Sequence, residues 1–128
     1  MKRAAAKPVF DASAALALLQ DEPGSDKLRK LQPEAAMNAV NAAEVLAKLL
    51  SHGMPPEEAH AALDALHLEI IPFDSTLAGI SARFVQKGVS LGDRCFLASC
   101  SRDGHGWTSD HEISALFEKH RPPLSFFR

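Results

Sequence analysis

The stretch KPVFDASAALALL, residues 7–19, decides how the rest of the chain is read. Val9 and Phe10 end at a carboxylate, Asp11, and a run rich in alanine and leucine follows it. An apolar strand that gives way to a helix through an acid is the opening of a strand–helix–strand unit. Asp11 then stands at the carboxyl end of the first strand, where it either caps the helix or does chemistry.

Downstream, strands and helices alternate. EPG at 22–24 breaks the first helix ahead of a charged one, SDKLRKL, which Pro33 ends. AAMNAV at 35–40 fits strand or helix, and is read as a strand because Asn41 opens AAEVLAKLLSHG, with apolar residues at helical spacing and a stop at Gly53. PPEEAHAALDALH starts another helix with prolines and acids in its first turn. LEIIPF, 68–73, is the plainest strand in the chain, and DSTLAGISARFVQKG is an amphipathic helix ended by Gly88. SLGDRCFLASCSRDG is a helix, Gly104-His105-Gly106 a turn, GWTSD a short strand, HEISALFEKH the last helix and PLSFF a final strand.

This alternation predicts an α/β fold: one domain over residues 1–128, with a mainly parallel central sheet of four to five strands covered by helices on both faces. The length of 128 residues, 46% of them hydrophobic, suits one domain with its own core. A net charge of −2 leaves no global basic field, so any polyanion has to be held locally. No run approaches the roughly 20 apolar residues of a membrane span, and the basic MKRAAAK is not followed by a long apolar region. A soluble, cytoplasmic protein with no membrane partner is expected. Cys95 and Cys100, five apart on one helix, point away from each other, so no disulfide joins them, in keeping with a reducing compartment.

In open parallel sheets, ligands bind at the carboxyl ends of the strands, near the point where strand order reverses. Asp11, Asp74 and Asp110 follow strands; Glu44 and Asp93 lie in the first turns of helices. Each has a purely structural reading. Asn41–Glu44 has the form of a capping box, Ser90–Asp93 is a near relative of one, and the other three acids serve as N-caps or first-turn acids. Together they mean more. Several acids at one sheet edge without abundant basic partners repel one another unless a cation neutralises them, and carboxylate oxygens suit Mg²⁺ or Mn²⁺. Spacing alone leaves open which of them are ligands.

Four pieces in order, VFDASAALALL, NAAEVLAKL, SLGDRCFLASC and WTSD, resemble the PIN-domain ribonucleases, and within them the VapC-type toxins of bacterial toxin–antitoxin pairs. The resemblance implies a metal-dependent endoribonuclease. Asp11, Glu44 and Asp93 would hold Mg²⁺ or Mn²⁺, directly or through water, with Asp110 completing the site or holding a second ion. Ser13 and Thr108 would be supporting hydroxyls. Asp74 falls where that family uses no metal ligand and stays a cap. His111 stands where these toxins often carry Arg, and Ile113 where an aromatic residue is common. The resemblance also implies an RNA substrate, a cognate VapB-type antitoxin packed along the active-site groove, and a homodimer through helices. The apolar faces of SAALALL and AAEVLAKLL would serve either of those protein contacts or the core.

Other chemistries find less support. The six histidines form no HExxH and the two cysteines no CxxC, which argues against zinc. His60 and His67 read as a solvated helix face, and His105 and His111 as neighbours of the GWTSD strand. No phosphate-binding glycine loop and no GxSxG occurs. Trp107 reads as core. Among the basic residues Lys27, Arg29, Lys30, Arg83, Lys87 and Arg94, Arg94 is the first choice for an RNA contact because it adjoins Asp93. Two alternatives remain: a phosphorylation-controlled receiver, which also carries acids at strand ends but needs an adjacent acidic pair and a late lysine absent here, and a catalytically silent PIN-like module that only binds.

Overall fold

The structure, a computed structural model, describes residues 6–102, 104–117 and 121–128. Strands β1 (Lys7–Phe10), β2 (Ala36–Asn38), β3 (Glu69–Ile71), β4 (Gly104–Thr108) and β5 (Leu124–Phe126) make one sheet in the order β3-β2-β1-β4-β5. Every pairing is parallel. The helices are α1 (Ala12–Gln20), α2 (Ser25–Leu31), α3 (Ala39–Ser51), α4 (Pro56–Asp64), α5 (Ser75–Ser81), α6 (Leu91–Cys100) and α7 (His111–Leu116). The expected α/β architecture is the one observed, with β1 at its centre and the reversal of strand order between β1 and β4.

Alternation along β1 sends neighbouring side chains to opposite faces. Phe10, with Met37 of β2, packs among Ala14, Leu28, Val45 and Leu63 of the first four helices. Val9 turns the other way onto Phe96 and Cys100 of α6. A third group, Phe84, Leu97 and Ile113, joins α6 to the chain on either side of it. Burying a Phe, Leu or Val side chain is worth about 1.5–3 kcal/mol, so these faces are what hold the layers together. Helix α6 is buried at Gly92 and along the whole of Cys95–Cys100, which explains why its sequence lacks a clean polar stripe. Both cysteines are free and buried there.

Four readings of the sequence need correction. Helix α3 starts at Ala39, not after Asn41, because the Asn38 side chain already accepts the Asn41 N–H at 2.9 Å and caps the helix three residues early. Asn41 and Glu44 therefore form no capping box. LEIIPF yields only the three-residue β3, since Pro72 offers no N–H to continue the ladder. It lies at the sheet edge, with Glu69 and Ile70 exposed. Helix α5 stops at Ser81 and tightens into a 3₁₀ turn over Ala82–Phe84, which drops Phe84 into the core well before Gly88. Finally, Gly104 and His105 belong to β4 instead of a turn, recruited by pairing with Lys7 and Pro8 of β1. The end of the predicted last helix, residues 118–120, lies outside the described residues, as do residues 1–5.

Candidate metal site at the carboxyl edge of the sheet

The register Phe10↔Trp107 sets Asp11 at the end of the central strand beside Thr108 of β4. Asp11 Oδ1 accepts the Ala14 N–H at 3.0 Å and the Ser13 hydroxyl at 2.6 Å, and Oδ2 accepts the Thr108 hydroxyl at 2.6 Å. Asp11 therefore caps α1, and it is also gripped across the point where strand order reverses. The two hydroxyls pass the grip on. Ser13 Oγ accepts the Ser109 N–H at 3.2 Å, and Thr108 Oγ1 accepts the Asp110 N–H at 3.0 Å.

Burial pushes the Asp11 carboxyl up to about 6; the hydrogen bonds from Ser13, Thr108 and Ala14 oppose that shift, and the charge of Asp93 adds to it. Thr108 is fully buried. Replacing it by Val keeps the shape and removes the hydroxyl, so Asp11 is expected to titrate higher still. The Asp110 N–H would be left unpaired at a cost of about 1–3 kcal/mol. A carboxyl-carbon NMR titration of Thr108→Val reads this directly, and an Asp11 that titrates at or below its parental value would contradict the assigned grip.

The other acids come from separate elements. Asp93 closes a capping box with Ser90, accepting the Ser90 N–H at 3.3 Å while its own N–H meets Ser90 Oγ at 3.1 Å. Glu44, on the exposed side of α3, accepts the Asn41 Nδ2–H at 2.7 Å. Its carboxylate lies against the Cα of Gly92, the residue before Asp93. Asp110 caps α7 through the Glu112 N–H at 3.0 Å. Asp74 caps α5 through the Leu77 N–H at 2.9 Å, the role expected of it.

Hydrogen bonds therefore join Asp11, Ser13, Thr108 and Asp110 directly, while Asp93 reaches Asp11 through its field. Glu44 reaches α6 through Gly92. Among the described residues, no three His, Cys, Asp or Glu side chains stand close enough to close on one ion. The chemistry of the set nonetheless fits a hard divalent ion: every donor is a carboxylate oxygen, and none of the four acids has an ion-pair partner among the described residues. Arg94, half-buried beside Asp93, forms no ion pair among them either, although its charge opposes the rise that burial imposes on the Cys95 thiol.

Two residues that carry this site escaped sequence reasoning. Asn38 and Asn41 are wholly buried, and their amides link Glu44, Gly92 and Ser99. The signal available was N-x-x-N-x-x-E over 38–44, a polar file at i, i+3 spacing on one helix face. His105 and His111 hold structural places. His105 Nε2 meets Ser125 Oγ at 2.6 Å, and His111 stacks on Phe126 with ring centroids 4.0 Å apart. Ile113 is buried in the core, and Trp107 packs against the main core beside Phe10. Among the described residues no helix is long and apolar enough to cross a membrane.

A family model described as PIN domain matches residues 9–115. Several solved structures share the fold. A toxin–antitoxin complex from Klebsiella pneumoniae aligns with a TM-score of 0.75 at 18% identity, covering 94% of this chain and 98% of that one. DNA-bound VapBC from Salmonella typhimurium aligns at 0.73 and 16% identity, covering 96% and 99%. VapBC-5 from Mycobacterium tuberculosis aligns at 0.63 and 22% identity, covering 96% and 98%. At these identities the likeness is one of fold. No curated protein sequence matches the chain.

Proposed function

From the premise that the chain belongs to the PIN domain family, we propose that it is a metal-dependent endoribonuclease, the VapC-type toxin of a toxin–antitoxin pair, with residues 1–128 forming one such domain. The observation that carries the reading is the coupling of Asp11 to Asp110 through the Thr108 hydroxyl at the β1/β4 end of the sheet, with the charge of Asp93 acting on an Asp11 that has no ion-pair partner among the described residues. Asp11, Glu44, Asp93 and Asp110 would hold Mg²⁺ or Mn²⁺, which supplies a polarised water and offsets charge on the phosphodiester.

The chain's own residues do the rest. The Ser13 and Thr108 hydroxyls, donating to opposite oxygens of Asp11, stop that carboxylate from turning away from the edge. Among the described residues Oδ2 takes one hydrogen bond and so keeps a second acceptor direction for a ligand. Thr108 also anchors the backbone of Asp110, so both acids move as one unit. Above about pH 6 the Asp11 carboxyl has given up its proton and is ready for a cation. Arg94, next to Asp93 in the chain and without an ion-pair partner among the described residues, is the side chain assigned to an RNA phosphate in this reading. RNA is the substrate in this reading, acting in the cytoplasm. A VapB-type antitoxin is the partner, supported by fold relatives whose structures are toxin–antitoxin complexes. A homodimer through helices remains part of the proposal.

The receiver alternative falls on topology, since receivers of the flavodoxin-like type use the order 2-1-3-4-5 and this sheet runs 3-2-1-4-5. The nuclease reading is tested with labelled RNA and purified chain. Cleavage in Mg²⁺ should stop with EDTA and return with Mn²⁺. An Asp93→Asn variant, shown folded by circular dichroism, should cut at least about tenfold more slowly. Cleavage that survives EDTA, or a folded variant as active as its parent, would sink the assignment. A chain that cuts no RNA, total cellular RNA included, would leave the binding-only module.

A further inference from the structure

Glu44 is the one acid of the set that does not cap a helix, and its anchor is unusual. Asn38, Asn41 and Glu44 follow one another at i, i+3 along α3. The Asn41 carboxamide spends both Nδ2 hydrogens, one on Glu44 Oε1 at 2.7 Å and one on the Gly92 carbonyl at 3.1 Å. Its Oδ1 accepts from Asn38 Nδ2 at 2.7 Å. Asn38 Nδ2 also reaches Ser99 Oγ at 3.3 Å, and Ser99 in turn donates to the Phe96 carbonyl at 2.7 Å. Only one orientation of the Asn41 amide satisfies this file. Flipped, its oxygen would face two other oxygens, the Glu44 carboxylate and the Gly92 carbonyl.

Two buried carboxamides are costly to desolvate unless fully bonded, and Asn38 alone already caps α3. The donors of Asn41 are therefore surplus to helix formation, and both point at the boundary between α3 and the start of α6. On the far side stands Gly92. A Cβ there would lie 2.5 Å from Glu44 Oε1 and Cδ, so the bare Cα is the floor on which the carboxylate rests.

We infer that Asn41 is the positioning residue for Glu44, and that its carboxamide and the bare Gly92 Cα form a seat holding this acid one residue from Asp93. The inference rests on the metal-nuclease reading and adds to it the device that fixes the acid contributed by α3. The ladder Ser99–Asn38–Asn41 sets the direction of the Asn41 amide. That amide in turn sets the direction of a side chain that would otherwise range freely over the exposed face of α3.

The test uses the purified full chain without RNA. Mn²⁺ affinity is measured by calorimetry for the parent, Asn41→Ala, Gly92→Ala, Glu44→Gln and the Asn41→Ala/Glu44→Gln pair. Outer-shell partners of metal ligands are typically worth 10–100-fold in affinity, and Asn41→Ala and Gly92→Ala are each expected to lose about that much. Most of the Asn41→Ala loss should disappear in the Glu44→Gln background, because Asn41 acts on the metal chiefly through Glu44. Gly92→Ala guards against an unfolded Asn41→Ala: the atoms nearest its Cβ are the movable end of Glu44, and Ala favours a helix over Gly. In the metal-free parent, the Asn41 side-chain amide resonances should shift on Glu44→Gln. Parental affinity in Gly92→Ala, additive losses in the pair, or unmoved Asn41 resonances would each overturn the seat while leaving the metal reading intact. A parent chain that binds no Mn²⁺ would overturn both.

Discussion

Asp11→Asn is expected to abolish metal-dependent RNA cleavage and, in metal-free protein at pH 7, to raise the melting temperature. The activity loss should exceed about 100-fold, because even partners that only hold a metal ligand are worth roughly 10–100-fold. The stability gain follows from the raised carboxyl. Burial pushes Asp11 to about 6, so the folded state prefers the protonated form. An acid raised in the fold contributes stability that is complete below its unfolded value, about 4, and is lost as pH climbs through the folded one. At pH 7 the parent has lost all of it, an order-of-magnitude cost of about 2–3 kcal/mol. Asn caps a helix as well as Asp does, so the Ala14 N–H need lose nothing. The advantage of Asn should therefore be full above pH 6, shrink between pH 6 and 4, and vanish below. Thermal melts across that range decide the matter. A variant less stable than its parent at pH 7 would mean that the buried charge is compensated by something other than a bound ion.

Gly24→Ala should cost about 3–5 kcal/mol although it changes no acid. Gly24 precedes α2 with φ +91°, a conformation that costs an L residue roughly 1–2 kcal/mol. A Cβ there would also lie 2.9 Å from the carbonyl carbon of Phe127, and closer still to its oxygen. That backbone cannot yield without pulling Phe127 from the core, where loss of a Phe side chain costs roughly 3–5 kcal/mol. The same loop holds the chain end through Arg128, whose guanidinium reaches the Pro23 carbonyl at 3.5 Å and Glu22 at 3.8 Å. At about 2–8 °C per kcal/mol, the melting temperature should fall by roughly ten degrees or more. Deleting Phe127 and Arg128 should give a similar loss, and the two changes together less than their sum. A Gly24→Ala protein melting within about 2 °C of its parent would show that the terminal segment is not clamped there.

What could be read from residues alone was whatever is written within a few positions. Asp11, Asp74 and Ser90 announce their helices because capping is a contact between a side chain and an N–H three residues on. The placement of Asp11 and Asp110 at strand ends followed from the same local grammar. Errors fell where two local signals competed. Asn38 and Asn41 are equally good caps by type, and only the burial of both decided that Asn38 starts α3 while Asn41 turns toward Glu44. LEIIPF looked like a full strand because apolar content measures burial on average and says nothing of which strands flank it, and only Glu69–Ile71 pairs. Gly24 was legible as a helix breaker, whereas its contact with Phe127 spans nearly the whole chain and leaves no trace in either neighbourhood.

The sequence by itself determined the order of strands and helices, the capping acids, and a carboxylate set suited to a divalent ion, since periodicity and capping energies are local. Only the tertiary structure decided that β4 lies beside β1, so that Thr108 grips Asp11 across the sheet and burial, with a smaller push from Asp93, raises its carboxyl. It alone decided that α6 meets α3 at a glycine, on which Glu44 rests. Contacts between distant segments are set by which faces can be buried together, and desolvation at a point depends on all the atoms around it, so neither is written in any single stretch of chain.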